Sequence, residues 1–277
     1  MSFTETTSLI ELQPDVKLRI IQSTPTQIKS QSAPTVIFLH FWGGSSSTWS
    51  QVNDMIGETI PTIRVDFRGW GSSTGPDSET RYSTLNLAQD IQGIIQRLEL
   101  RRYIIVGHSM GAKVAQAFAG QDVDGGLVGL VLACPAPPTP LELPEEMRRQ
   151  QIDAYSNSEN AESVTRNVLT SQQLPDRIVQ LTVQDMLKGN PFARKAWPEH
   201  AMRDDISQLA KLISVPVLVV AGGMDDVEPV SRIKTEVCGV LADSTLVVVN
   251  ESGHLLPLEA PERLAELIRD FSSHFTL

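Results

Sequence analysis

Six short apolar runs, at residues 35–41, 62–66, 103–106, 127–134, 216–221 and 245–249, constrain this chain more than any other feature. Each is aliphatic or β-branched and mostly uninterrupted rather than alternating, the pattern expected of strands covered on both faces. Helical patterns separate the runs. Leu87, Ile91, Ile94, Ile95 and Leu98 form one apolar stripe before the third run, and Leu264, Leu267, Ile268, Phe271 and Phe275 repeat it near the C-terminus, behind Pro261 and Glu262. Parallel strands need such crossovers, so the alternation predicts an α/β fold with a doubly wound, mostly parallel sheet. Ligands of these sheets bind outside the carboxyl ends of the strands, which makes any polar residue just after a run a candidate. Ahead of the runs, residues 8–12 and 18–23 predict an entry hairpin around Pro14-Asp15, followed by a polar loop that ends at Pro34.

The alternation lapses once, between Pro135 and Ile213. Pro135, Pro137, Pro138, Pro140 and Pro144 break the chain as it leaves a strand, and residues 145–155, 161–169 and 175–187 then read as helices without strands. With 277 residues, the chain has room for one large domain with an insertion. The expected organisation is a core of residues 1–134 and 214–277 and a helical cap of residues 135–213. The cap leaves the carboxyl end of a strand, so it is expected to roof the site.

The third run breaks into Gly107-His108-Ser109-Met110-Gly111, and an Ala-rich helical pattern follows. A tight strand-to-helix turn forces its central residue into a sparsely populated backbone conformation, and glycines two residues either side remove colliding side chains. Such a turn holds a serine hydroxyl out at the sheet edge. A serine nucleophile needs a nearby base. Of the five histidines, His254 lies just past the final run and before the last helix, at the expected ligand edge. His108 is held in the turn and reads as structural, while His200 and His274 read as surface residues. The base needs an acceptor for its second ring nitrogen. Asp225 follows the fifth run behind Gly222-Gly223, and Asp226 and Glu228 compete with it.

Ser109, Asp225 and His254, in that chain order, resemble the nucleophile, acid and base of the α/β-hydrolase superfamily. The likeness also takes in His40-Phe41-Trp42-Gly43-Gly44, Asp66-Phe67-Arg68-Gly69-Trp70-Gly71-Ser72-Ser73, the pair Asp225 and Pro229 after Gly222, and Ser252-Gly253-His254 followed by Pro257 and Pro261. The resemblance implies an oxyanion hole built from the backbone N–H groups of Met110 and, by position, Trp42. One departure is Phe41, where the family usually has glycine after the histidine; it would narrow the acyl pocket or pack beneath the cap. Trp197 is expected as a wall of the substrate pocket. A serine rather than an aspartate at the turn disfavours dehalogenase and epoxide-hydrolase chemistry. The implied function is a serine hydrolase of a carboxylic ester, lactone or related small acyl compound. Carbon–carbon bond hydrolysis, acyl transfer, cofactor-free perhydrolysis and a small-molecule receptor with little turnover stay open.

Other chemistries find less support. The net charge of −10 and the lack of clustered Lys and Arg argue against a nucleic-acid partner. Residues 69–75 miss the dinucleotide fingerprint, because Thr74 stands where its third glycine belongs, so no cofactor is expected. Asp66 and Arg68 read as scaffold, and Lys113 as solvated or helix-packed. Histidines and cysteines are scattered, so no metal site is expected. The two cysteines, Cys134 and Cys238, read as buried thiols. No apolar run reaches membrane-spanning length, and the first eight residues lack a signal-peptide pattern, so the expectation is a soluble cytoplasmic protein away from membranes. Oligomeric state is not legible.

Overall fold

A computed structural model describes residues 3–26, 33–122 and 125–276; most of the polar loop expected before Pro34 lies outside them. Eight strands form one sheet in the order β1-β2-β4-β3-β5-β6-β7-β8. They are β1 (Phe3–Gln13), β2 (Val16–Pro25), β3 (Thr35–Leu39), β4 (Thr62–Val65), β5 (Tyr103–His108), β6 (Leu127–Ala133), β7 (Val217–Gly222) and β8 (Ser244–Val249). β1 pairs with β2 and β2 with β4 in antiparallel fashion, and β3 to β8 run parallel. The entry hairpin turns at Pro14-Asp15, as the sequence predicts, and its strands are longer than the apolar residues alone mark out.

Each uninterrupted apolar run feeds both faces of the sheet. On one face Val36, Phe38, Val106, Val131 and Val220 pack with Trp49 and Leu264, from α1 (Ser50–Ile56) and its preceding turn and from the C-terminal helix Pro261–Ser273. On the other face Ile37, Leu39, Ile105, Leu132 and Val219 pack with Ile91 and Val114, from α2 (Thr84–Arg97) and α3 (Met110–Ala119). The α2 stripe is buried at Leu87, Ile91, Ile94 and Ile95, each contributing about 1.5–3 kcal/mol relative to exposure. β4, β5 and β7 are buried at every residue. β8, read from its run as doubly covered, is instead an edge strand with mostly half-buried residues, since only β7 flanks it.

Among the described residues no strand lies between β6 and β7. That stretch holds α4 (Glu145–Asp153), α5 (Ser158–Val164) running into a π turn at Thr165–Leu169, α6 (Asp176–Lys188), α7 (Pro191–Glu199) and α8 (Ser207–Ala210). The sequence anticipates the first three helices. α7 is not anticipated: Asn190 caps it through the Ala193 N–H, Pro191 occupies its first turn, and Pro198 near its end hides the pattern.

Buried polar groups fasten the loops at the carboxyl edge. Asp66, buried after β4, accepts from the Ser46 N–H (2.6 Å), the Ser72 N–H (2.9 Å) and Arg19 (3.3 Å). Arg68 grips Asp90 with two hydrogen bonds of 2.6 Å. Lys113 is packed rather than solvated: its fully buried ammonium donates to the carbonyls of Thr139 and Met202, both at 3.0 Å, stitching α3 to the helical insertion. Burial lowers its pKa to about 8.

Candidate active site

β5 delivers the chain into a left-handed turn at Ser109 (φ 54°, ψ −115°), and α3 starts at the next residue. For a residue other than glycine this conformation costs about 1–3 kcal/mol, so surrounding structure must enforce it. The flanking glycines are required by space. A Cβ at Gly107 would lie 2.4 Å from the Gly111 carbonyl oxygen, and one at Gly111 would lie 2.5 Å from the His40 carbonyl oxygen.

The loop after β8 brings His254 to this serine. His254 Nε2 lies 2.9 Å from Ser109 Oγ, and His254 Nδ1 lies 2.8 Å from Asp225 Oδ2. Because an ionised carboxylate only accepts, Nδ1 carries the proton and Nε2 is left to accept from the hydroxyl. Asp225 Oδ1 in turn accepts from the N–H groups of Val227 (2.8 Å) and Glu228 (3.0 Å). Of the three acids the sequence left open, Asp225 faces the imidazole. Asp226 is exposed, and the buried Glu228 directs its carboxylate to Arg232 (3.3 Å).

Electrostatics follow from this packing. Burial alone would raise the Asp225 pKa, but the adjoining His254, its hydrogen bond and the two backbone N–H groups outweigh it and hold the carboxyl below its ordinary value. Burial alone would lower that of His254, and Asp225, with Glu228 and Glu259 behind it, outweighs burial and raises it. Burial pushes Glu228 up to about 7, against the pull of His254 and Arg232.

The remaining histidines divide by environment. His108 is buried, its pKa lowered by burial to about 3, and its Nε2 donates to the His254 backbone carbonyl (2.7 Å), pinning the loop from beneath. His40 donates from Nδ1 to the Phe41 carbonyl (2.7 Å) and accepts the Phe67 N–H at Nε2 (3.1 Å), a role with no signal in the sequence pattern. It thereby clamps the loop after β3 to the loop after β4. His200 and His274 are exposed, as expected.

The backbone N–H groups of Met110 and Trp42 find no acceptor among the described residues. The Trp42 loop is anchored by the insertion: its carbonyl accepts from the Tyr155 hydroxyl (2.9 Å), its indole N–H donates to the Arg194 carbonyl (3.0 Å), and the Trp42 and Tyr155 rings stack 4.1 Å apart. Tyr155 is the only aromatic between Phe118 and Phe192, and the sequence pattern carries no signal of its contact with the Trp42 loop. Phe41 is buried against His108, with ring centroids 5.3 Å apart. It also borders a cavity of about 100 Å³ with Gly43, Gly44, Ile178, Leu181 and Leu258. Ser109 and His254 are not among the walls of that cavity. Trp197 is buried in the apolar cluster that also contains Met110, Trp42 and Met202.

The fold gathers two groups of ligating side chains: His108, Cys134 and His254, all buried, and the half-buried Glu79 and Glu199 with the exposed His200. A cation in the first would compete with the hydrogen bonds of His254. The Cys134 thiol lies 3.7 Å from the Gly253 carbonyl, and burial pushes its pKa well up. Cys238 is half-buried, not buried as expected. No helix among the described residues is long and apolar enough to cross a membrane.

Residues 36–267, from β3 into the last helix, match the alpha/beta hydrolase family. The chain belongs to that family. This alpha/beta hydrolase is 29% identical over 249 residues to the AB hydrolase superfamily protein YisY of Bacillus subtilis (strain 168), covering 86% of this chain and 91% of that protein. It is 25% identical over 262 residues to the 2-hydroxy-6-oxononadienedioate/2-hydroxy-6-oxononatrienedioate hydrolase of Paraburkholderia xenovorans (strain LB400), covering 88% of each. Its fold is similar to that of an esterase from Exiguobacterium antarcticum, with a TM-score of 0.83 at 21% identity over 97% of this chain and all of the other.

Proposed function

We propose that this alpha/beta hydrolase cleaves a small carboxylic ester or lactone through an acyl-enzyme on Ser109. The observation that carries the reading is the unbroken hydrogen-bonded chain from Ser109 Oγ through His254 to Asp225 at the carboxyl edge of the sheet. In this reading His254 Nε2 takes the Ser109 proton as Oγ attacks the carbonyl carbon. Negative charge develops on the carbonyl oxygen, where the Met110 and Trp42 N–H groups donate to it, each typically contributing about 3 kcal/mol to the barrier reduction. The tetrahedral adduct collapses as the imidazolium returns its proton to the leaving alkoxide. Water, deprotonated by His254, then attacks the acyl-enzyme and regenerates Ser109. Asp225 holds the imidazole in the required tautomer throughout. Residues 135–213 serve as the cap that sets substrate size, resting on the Trp42 loop through Tyr155 and Arg194.

A second reading, hydrolysis of a carbon–carbon bond in a vinylogous diketone by the same residues, is favoured by the similarity to the Paraburkholderia hydrolase. Measuring kcat/KM for p-nitrophenyl esters of graded acyl length, a set of lactones and a vinylogous diketone decides between them. The ester reading expects the highest values for short acyl groups, given the buried Phe41 beside His108 in the loop after β3. Turnover of the diketone alone would overturn it. Across pH, kcat/KM should fall on the acid side with an apparent pKa above 6.5, because His254 must be neutral to act as base and its neighbours raise its pKa. An acid limb well below 6.5 would contradict this assignment of the base.

A further inference from the structure

One carboxylate holds the loop that carries His254 and the helical insertion together. Glu259, the last residue of α10 (Leu256–Glu259), accepts at Oε2 from the Gly253 N–H (3.0 Å). At Oε1 it accepts from the backbone N–H groups of Ser171 (2.7 Å) and Gln172 (3.0 Å), with the Ser171 hydroxyl also 3.0 Å away. Gly253 immediately precedes His254, and Ser171 and Gln172 lie in the insertion between its π turn and α6. The seam continues on both sides. The Leu255 N–H donates to the Leu169 carbonyl (2.9 Å), and the Gln172 side-chain amide donates to the Glu251 carbonyl (2.5 Å). A Cβ at Gly253 would come within 2.8 Å of the Ser171 nitrogen, so the two segments are in direct contact.

We infer that Glu259 is a positioning residue that fixes His254 in line with Ser109 and makes that alignment depend on how the insertion is seated. The inference rests on the reading of Ser109 as nucleophile and His254 as base. Hydrogen bonds to an ionised carboxylate are about twice as strong as neutral ones, and here two oxygens satisfy three backbone N–H groups from two separate segments. If the insertion lifts, Oε1 loses two of them and the His254 loop is freed on that side. A displacement of about 1 Å at a reacting group costs about 10²-fold in rate. Glu259 also acts by charge, since a nearby carboxylate favours the imidazolium. The other groups facing His254 are Asp225 and Glu228 from the loop after β7, His108 from β5 and Cys134 from the end of β6. All of these stay in place when Glu259 is changed.

The test is the rate of Ser109 phosphonylation by a fluorophosphonate, with fluoride as the leaving group, followed across pH in wild type, Glu259→Gln and Glu259→Asp, with thermal unfolding measured alongside. Glu259→Gln should be phosphonylated about 10- to 100-fold more slowly, with its acid limb moved to lower pH. Glu259→Asp keeps the charge but is one methylene too short to span both segments. It should lose rate with its acid limb unmoved, and this variant alone suffices if the glutamine variant does not fold. Wild-type labelling rates in the variants, or a Glu259→Gln acid limb that does not move, would overturn the proposal. Failure of the wild-type protein to label at Ser109 would instead overturn the nucleophile reading on which it stands.

Discussion

Asp225→Asn is expected to lower kcat/KM for the best ester by about 10⁴-fold while leaving the fold intact. The asparagine oxygen can still accept from the Val227 and Glu228 N–H groups, so the turn after β7 is preserved. Its NH₂ group then faces His254 Nδ1 as a donor, which drives the imidazole proton to Nε2, where it blocks acceptance from Ser109. Asp226→Asn, at an exposed neighbouring position, should stay within about twofold of wild type, as is usual for surface changes. Steady-state kinetics on both variants, with circular dichroism as the check on folding, separates the two aspartates. A mild effect at Asp225 together with a severe one at Asp226 would reassign the acid.

The larger effect belongs to the serine. Ser109→Ala should reduce kcat by about 10⁶-fold, leaving only the residual rate that binding and the oxyanion donors supply. The variant should also unfold at a temperature no lower than wild type. Alanine keeps the strained backbone at φ 54° but gives up only a half-buried hydroxyl whose single described partner is His254 Nε2. Rate measurement with a sensitive fluorogenic ester and a thermal melt on the same preparation check both halves.

Most of the sheet and much of the candidate site are legible in the sequence, for local reasons. Uninterrupted apolar runs mark buried parallel strands, and a serine between glycines at a strand end is a backbone geometry as much as a chemical motif. His254 and Asp225 were legible because they follow runs, and parallel strands send their carboxyl ends to one edge. What stayed hidden depended on partners distant in sequence. Lys113 looks like any helix lysine until Thr139 and Met202 place carbonyls around it. His40 gains meaning only from the Phe67 N–H that it accepts, and Tyr155 only from the Trp42 loop it stacks on. β8 shows the reverse failure: its run is as apolar as the others, but a pattern of residue types does not report which strand ends the sheet. The choice among Asp225, Asp226 and Glu228 was set by turn geometry, which points neighbouring side chains in different directions and has no signature in composition.

The proposed reaction stands on Ser109 acting as a nucleophile activated by His254. Incubation of the intact protein with a fluorophosphonate, followed by peptide mapping, tests it most directly. The expected result is a single adduct on Ser109, absent in Ser109→Ala and formed at least about 10³-fold more slowly in His254→Ala. No adduct on the wild-type protein, or equal labelling of Ser109→Ala, would contradict it.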